Sequence, residues 1–133
     1  MIKFTGKTAL IIEDDETSIK VMVQLLKHVD MKAVIIKDSY DMGAQLAQVS
    51  VPDVIFLDLE MPQANGYSVL EYIRREPNFA NVPVVAYTTH TSHLNIAKEA
   101  GFHSFLGKPI DGKQFPSMLE KILNGEPVWE VPS

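Results

Sequence analysis

An unbroken apolar run, Val54-Ile55-Phe56-Leu57, ends on the carboxylate of Asp58. Four apolar residues without alternation fit a short strand buried on both faces, the kind found in parallel sheets covered by helices. Open α/β sheets place their ligand sites at the carboxyl ends of the strands, so an acid in that position is a candidate for chemistry rather than packing. What the rest of the chain delivers to Asp58 then decides the function.

The chain alternates between two periodicities. Thr8 to Ile12 forms a first apolar strand that runs into Glu13-Asp14-Asp15-Glu16, and Ile19, Met22, Val23, Leu26 and Val29 then recur as one face of a helix. Ala33 to Ile36 is a second strand. Ser39 is expected to cap the following helix, which carries Met42, Leu46 and Val49 and which Pro52 prevents from continuing. After the Asp58 strand, residues 62–66 form a loop, and Val69, Leu70 and Ile73 lead a third helix closed off by Pro77.

Pro83 to Tyr87 is a fourth strand ending at Thr88-Thr89-His90, followed by a short helix with Leu94, Ile96, Ala97 and Ala100, and Gly101 as its left-handed cap. Phe102 to Leu106 is a fifth strand that ends at Gly107-Lys108-Pro109. Phe115, Met118, Leu119, Ile122 and Leu123 mark the last helix, terminated by Gly125 and Pro127. Asp111 and Gln114 have capping-box spacing, with Ile110 and Phe115 placed as a hydrophobic staple. That start would put Pro116 inside the helix, so either the helix begins near Pro116 or its first turn is irregular.

Repeated strand-helix units with short connections imply an α/β fold: a doubly wound parallel sheet of five strands with five helices on both faces. The flavodoxin-like strand order 2-1-3-4-5 brings the ends of all five strands to one edge. At 133 residues the chain is expected to hold one domain, residues 1–125, with a short tail, 126–133, whose Trp129 packs on its own domain. No apolar segment approaches the roughly 20 residues that cross a bilayer, and the start lacks a secretory signal, so a cytoplasmic location is expected. The absence of cysteine excludes disulfides, thiolate metal sites and cysteine nucleophiles. A net charge of -5 with no basic cluster argues against a nucleic-acid surface and for protein partners.

The shared edge carries Glu13, Asp14 and Asp15 from the first strand, Asp58 from the third, Thr88 from the fourth and Lys108 from the fifth. Carboxylates gathered there repel one another, and a divalent cation relieves the repulsion. Oxygen ligands without thiolates select a hard ion such as Mg²⁺ (or Mn²⁺), commonly held with phosphate oxygens and water. A lysine and a hydroxyl opposite such an ion suit the remaining oxygens of a phosphoryl group, and Asp58 becomes the nucleophile, giving an acyl phosphate.

Ile11-Ile12-Glu13-Asp14-Asp15, Leu57-Asp58-Leu59-Glu60-Met61-Pro62 with Gly66, Pro83 to Thr88, and Lys108-Pro109 together resemble the signature blocks of the receiver domain of two-component response regulators. The resemblance runs from about Lys7 to Asn124, and it is that of a stand-alone, chemotaxis-type regulator. It implies that Asp58 is the phosphoacceptor, loaded from a sensor histidine kinase or a histidine phosphotransfer protein. It implies that Asp14 ligates the metal directly, Glu13 through a water, and Glu60 through its backbone carbonyl. Thr88 resembles the switch hydroxyl, Lys108 its charge partner, and Phe105 the aromatic switch residue. Output to a downstream protein target is then a population shift on the face formed by the fourth helix, fifth strand and fifth helix. No effector domain follows the fifth helix, so output through protein contact or a phosphorelay role is expected, with no nucleic acid and no membrane involved.

Four positions depart from the family pattern or vary within it. Thr89 stands where a small residue is usual and is expected to narrow access to Asp58, while Glu60 and His90 flank the attack path of water and are expected to tune the phosphoryl lifetime. Phe105 lacks a hydroxyl, so its switching rests on ring packing. His90 and His93 are spaced as a ligand pair, but with no further histidine or cysteine nearby a surface role is the better reading. The other classes are weaker. An aspartyl phosphatase would use Asp-x-Asp where this chain has Asp58-Leu59-Glu60, and a flavodoxin needs a hydroxyl-rich phosphate loop where this chain has four acids. A receiver-like module that is never phosphorylated would not need Asp14, Asp58, Thr88 and Lys108 together. A signalling phosphoacceptor, not a metabolic enzyme, is the reading that uses all of them.

Overall fold

A computed structural model describes residues 2–38, 40–61 and 65–132 of the chain. Strands β1 (Thr8–Ile12), β2 (Lys32–Ile36), β3 (Val54–Asp58), β4 (Val84–Thr88) and β5 (Ser104–Gly107) alternate with helices α1 (Glu16–His28), α2 (Met42–Ala47), α3 (Gly66–Arg75), α4 (Leu94–Ala100) and α5 (Phe115–Leu123). The sheet is parallel throughout, in the order expected for the first five strands. Beyond them lies a short sixth strand, β6 (Trp129–Glu130), paired with the outer side of β5, giving 2-1-3-4-5-6. The expected tail is thus part of the sheet at Trp129 and Glu130.

Because side chains alternate across a strand, the apolar runs feed two separate cores. Leu10, Ile12, Ile55, Leu57, Val84 and Ala86 pack under α2, α3 and α4. Ala9, Ile11, Val54, Phe56, Val85 and Tyr87 pack under α1 and α5. Every residue of β3 and β4 is buried, as their unbroken apolar sequences require. By contrast β2 is an edge strand, and Val34 and Ile35 remain partly exposed.

Helix boundaries follow local chemistry. Asp15 caps α1, its carboxylate accepting from the Ser18 N–H at 2.8 Å. Asp41 caps α2 by accepting from the Ala44 N–H; Ser39, the residue expected there, lies outside the described residues. Helix α2 ends at Ala47, five residues before Pro52, so Val49 packs on the core from beyond the helix. Helix α4 buries only Ala97 fully; Ile96, one of its apolar residues, is 53% exposed. Gly101 closes that helix at φ 99°, in the left-handed region that favours glycine. Helix α5 begins at Phe115, and Pro116 falls in the first turn, where its missing N–H is not required. The capping box does not form: Asp111 accepts instead from the Lys113 N–H at 2.9 Å.

Candidate functional site

Strand register assembles the site. Ile12 pairs with Leu57, so Glu13 and Asp58 are the next residues out on neighbouring strands. Asp58 pairs with Tyr87 and Thr88 with Gly107, which delivers Thr88 and Lys108 to the same edge. Lys108 reaches inward: its Nζ lies 2.9 Å from Glu13 Oε1, 3.4 Å from Asp58 Oδ1 and 3.7 Å from Glu60 Oε2. The Lys108 N–H also donates to the Thr88 carbonyl at 2.8 Å. Carboxylate oxygens of Glu13, Asp14 and Asp58 lie within 4.8 Å of one another, with Asp14 exposed and the other two buried.

Burial makes this charge cluster expensive, and its parts respond differently. Desolvation, then the neighbouring Glu13 carboxyl, pushes Asp58 up to about 7, against the pull of the Glu60 N–H and Lys108. Burial resists ionisation of Glu13 too, but bonds with Asp58, Ser18 and Lys108 hold it down at about 2. Glu13 also accepts from the N–H groups of Asp14 and Asp15, at 3.0 and 3.2 Å. The two facing acids therefore titrate as a pair, Glu13 the more readily ionised and Asp58 the more readily protonated. Burial acts to discharge Lys108, yet Glu13, Asp58 and Glu60 outweigh it and raise its pKa. A cluster of three carboxylates with no soft ligand is the donor set of a hard divalent cation.

A cleft of about 350 Å³ opens over these groups, bounded by Asp14, Ser18 and Met22 on one side and by Thr89, Lys108 and Ile110 on the other. Tyr87, which the sequence offered only as a strand residue, forms part of its wall. The ring is 1% exposed, Lys108 Nζ sits 4.5 Å from its centroid, and its hydroxyl has no hydrogen-bond partner among the described residues. A large aromatic in an apolar run reads as core; only the β3–β4 register reveals that it lies beneath the lysine.

Residues 9–120 match the response regulator receiver domain family. The chain belongs to that family. As a receiver domain it is a signalling phosphoacceptor module of two-component systems. Among curated relatives, stress response regulator protein 1 of Meyerozyma guilliermondii is 31% identical over 106 residues, covering 77% of this chain and 49% of that protein. The chain spans about half the length, or less, of the first curated relatives it matches. Among solved structures, the receiver domain of a DNA-binding response regulator from Colwellia psychrerythraea superposes with TM-score 0.76 at 28% identity, covering 90% of this chain and 99% of that one. The receiver domain of a Pseudomonas aeruginosa sensor histidine kinase, 24% identical with TM-score 0.77 over 90% of this chain and 99% of that one, shares the fold; its structure carries a magnesium ion in the active-site cleft.

In this receiver the positions flanking Asp58 are tied together. Glu60 accepts from the Thr89 N–H at 3.1 Å and from the Thr89 hydroxyl, and lies 3.2 Å from His90 Nε2. Burial resists ionisation of Glu60, but these donors and Lys108 lower its pKa. The Thr88 hydroxyl accepts from the His90 N–H at 3.1 Å. His90 and His93 stack with centroids 5.6 Å apart on the outer side of this bridge. Phe105, expected as the aromatic switch, is fully buried among the residues under α4. The receiver's Lys108–Pro109 peptide is cis.

Proposed function

We propose that Asp58 is the phosphoacceptor of this receiver and takes its phosphoryl group from a phosphohistidine on a sensor histidine kinase or histidine phosphotransfer protein. An Asp58 carboxylate oxygen attacks phosphorus, the phosphorus–nitrogen bond breaks, and the imidazole leaves, giving an acyl phosphate on Asp58. In this reading Lys108 balances the charge gained, and the Thr88 hydroxyl contacts a phosphoryl oxygen. The observation that carries this reading is the convergence of Lys108 Nζ on Glu13 and Asp58, two buried acids from adjacent strand ends with a cleft above them.

The oxygen donors fit Mg²⁺ or Mn²⁺, with Asp14 and Asp58 as direct ligands, Glu13 through a water and Glu60 through its backbone carbonyl. When bound, such an ion offsets the negative charge of the carboxylates and of the incoming phosphoryl oxygens. Glu60, Thr89 and His90 set the rates of loading and loss. Residues 1–125 act as the receiver unit, working in the cytoplasm without metabolic turnover. Thr88 and Phe105 pass the change to the face of α4, β5 and α5, where a protein target reads it.

The test is incubation with Mg²⁺ and acetyl phosphate followed by intact mass, on the protein and on Asp58→Asn. A phosphoryl adduct on the former alone is the expected result. An adduct on both, or on neither under conditions that label other receivers, overturns the assignment.

A further inference from the structure

The outer side of β5 is occupied by the chain itself. After α5 the segment Glu126–Pro132 turns back and lies along β5, pairing Phe105 with Trp129 and Leu106 with Glu130. Phe105 N–H donates to the Val128 carbonyl at 2.8 Å, and Val128 N–H donates to the buried Ser104 hydroxyl at 3.0 Å. Val128 belongs to the core under α1 and α5, while Trp129 packs against the core under α4 and carries Lys98 Nζ 5.0 Å above its ring. One extended segment thus bridges α4, β5 and α5.

Its hold is slight. The strand is two residues long, and prolines at 127 and 132 flank it and cannot extend the ladder. Glu126, Pro127, Glu130, Val131 and Pro132 are all exposed, leaving Val128 and half-buried Trp129 as anchors. So short an edge strand lies at the low-stability end of a fold.

The segment also abuts the site. Gly107 precedes Lys108 and pairs with Thr88. A Cβ on Gly107 would lie 2.5 Å from Pro132 Cδ and 3.2 Å from Val131 Cα, and 2.9 Å from Thr91 Cγ2 on the connection leaving β4. The bare backbone of Gly107 is therefore clasped between the segment and the loop that carries Thr89 and His90. A shift of that loop or of Lys108 changes the space in which Val131 and Pro132 rest.

We propose that Glu126–Pro132 is a releasable strap, which covers the outer side of β5 in the resting protein and is shed when Asp58 is phosphorylated, exposing that side to an extended segment of a partner protein. The proposal rests on the phosphoacceptor reading of Asp58. The freed backbone groups of β5 then pair in parallel with the partner's strand, and the site vacated by Trp129 selects an aromatic side chain. Because coupling of equilibria is reciprocal, loosening the strap favours the phosphorylated form.

Trp129 is the only tryptophan in the chain, so its emission reports the strap directly. The full chain is incubated with Mg²⁺ and acetyl phosphate, and intact mass and acrylamide quenching are read on the same sample. An adduct accompanied by a red shift and a roughly twofold rise in quenching is expected, with neither in Asp58→Asn. An adduct with Trp129 unchanged overturns the strap and leaves the phosphoacceptor reading standing.

Absence of an adduct removes that reading, and the strap is then decided on unlabelled protein by amide exchange. The Phe105 N–H should exchange at least roughly tenfold faster than that of Phe56 in the central strand, and faster still in Gly107→Ala. If Gly107→Ala does not fold, Lys98→Gln, which takes the cation from the Trp129 ring, serves in its place. Equal protection of Phe105 and Phe56 overturns the proposal.

Discussion

Glu60 takes both the backbone N–H and the hydroxyl of Thr89, so its side chain spans from the end of β3 to the end of β4 above the Asp58 cleft. The same carboxylate lies 3.7 Å from Lys108 Nζ. An anion arriving at Asp58 meets donors already engaged by a carboxylate of the protein.

Thr89→Ala removes the hydroxyl bond and leaves the N–H. Losing one hydrogen bond to a charged acceptor is worth roughly 1.5 kcal/mol, or about tenfold in rate if the bridge must open for loading. Labelling of Asp58 by acetyl phosphate should accelerate by about that factor, followed by mass against time. Unchanged rates of both labelling and phosphate loss would show that Thr89 does not restrict access.

The raised pKa of Asp58 sets a sign for stability. Its folded value of about 7 exceeds the ordinary 3.8 of an aspartate, so between these limits the folded state holds a proton that the unfolded chain has released. The stability this group contributes is complete below about pH 4 and is lost as pH rises through 7. In the presence of EDTA, Asp58→Asn should exceed the parent in unfolding free energy by about 2 kcal/mol at pH 8. The gap should close toward pH 4. Urea unfolding of both proteins across that range measures it, and a gap independent of pH contradicts a raised Asp58 pKa.

Divalent cation should reverse the penalty at its source. At ten times its dissociation constant, Mg²⁺ should stabilise the parent by about 1.4 kcal/mol through binding to the folded state alone. Asp14→Asn, which alters an exposed carboxylate of the cluster, should keep its fold and lose most of this gain. Thermal unfolding with a titration of Mg²⁺ distinguishes the two, and an equal rise in both variants would exclude Asp14 as a ligand.

Tyr87 supports Lys108 from beneath. Tyr87→Phe keeps the ring and should leave labelling of Asp58 within about twofold, whereas Tyr87→Leu removes a cation–π contact worth about 1–2 kcal/mol in a desolvated setting. The leucine variant should therefore label several-fold more slowly while Mg²⁺ affinity holds. A parallel loss of Mg²⁺ affinity would mean that the ring supports the acids rather than the lysine.

The sequence was most readable where its signals were long or collective. Unbroken runs at 54–57 and 84–87 announced strands buried on both faces, and their shared direction brought Glu13, Asp58, Thr88 and Lys108 to one edge. Pro52 sets only an outer limit for α2, and the chain leaves the helix at Ala47. Strand β6 has too few residues for any period to emerge, and the prolines that flank it at 127 and 132 speak against a strand. The Glu60–Thr89 bridge was out of reach for another reason. Both residues stood out singly, but their contact depends on how far a side chain at one strand end reaches toward the next.

The two cores divided by the sheet have a consequence for descent. Adjacent residues of one strand answer to different layers, so the surface over α2 and α3 can drift to suit one partner without repacking beneath α1 and α5. The strand-end acids and lysine remain fixed while each flank is rewritten separately. A fold partitioned this way can be duplicated and assigned to a new pathway by changes on one side of the molecule alone.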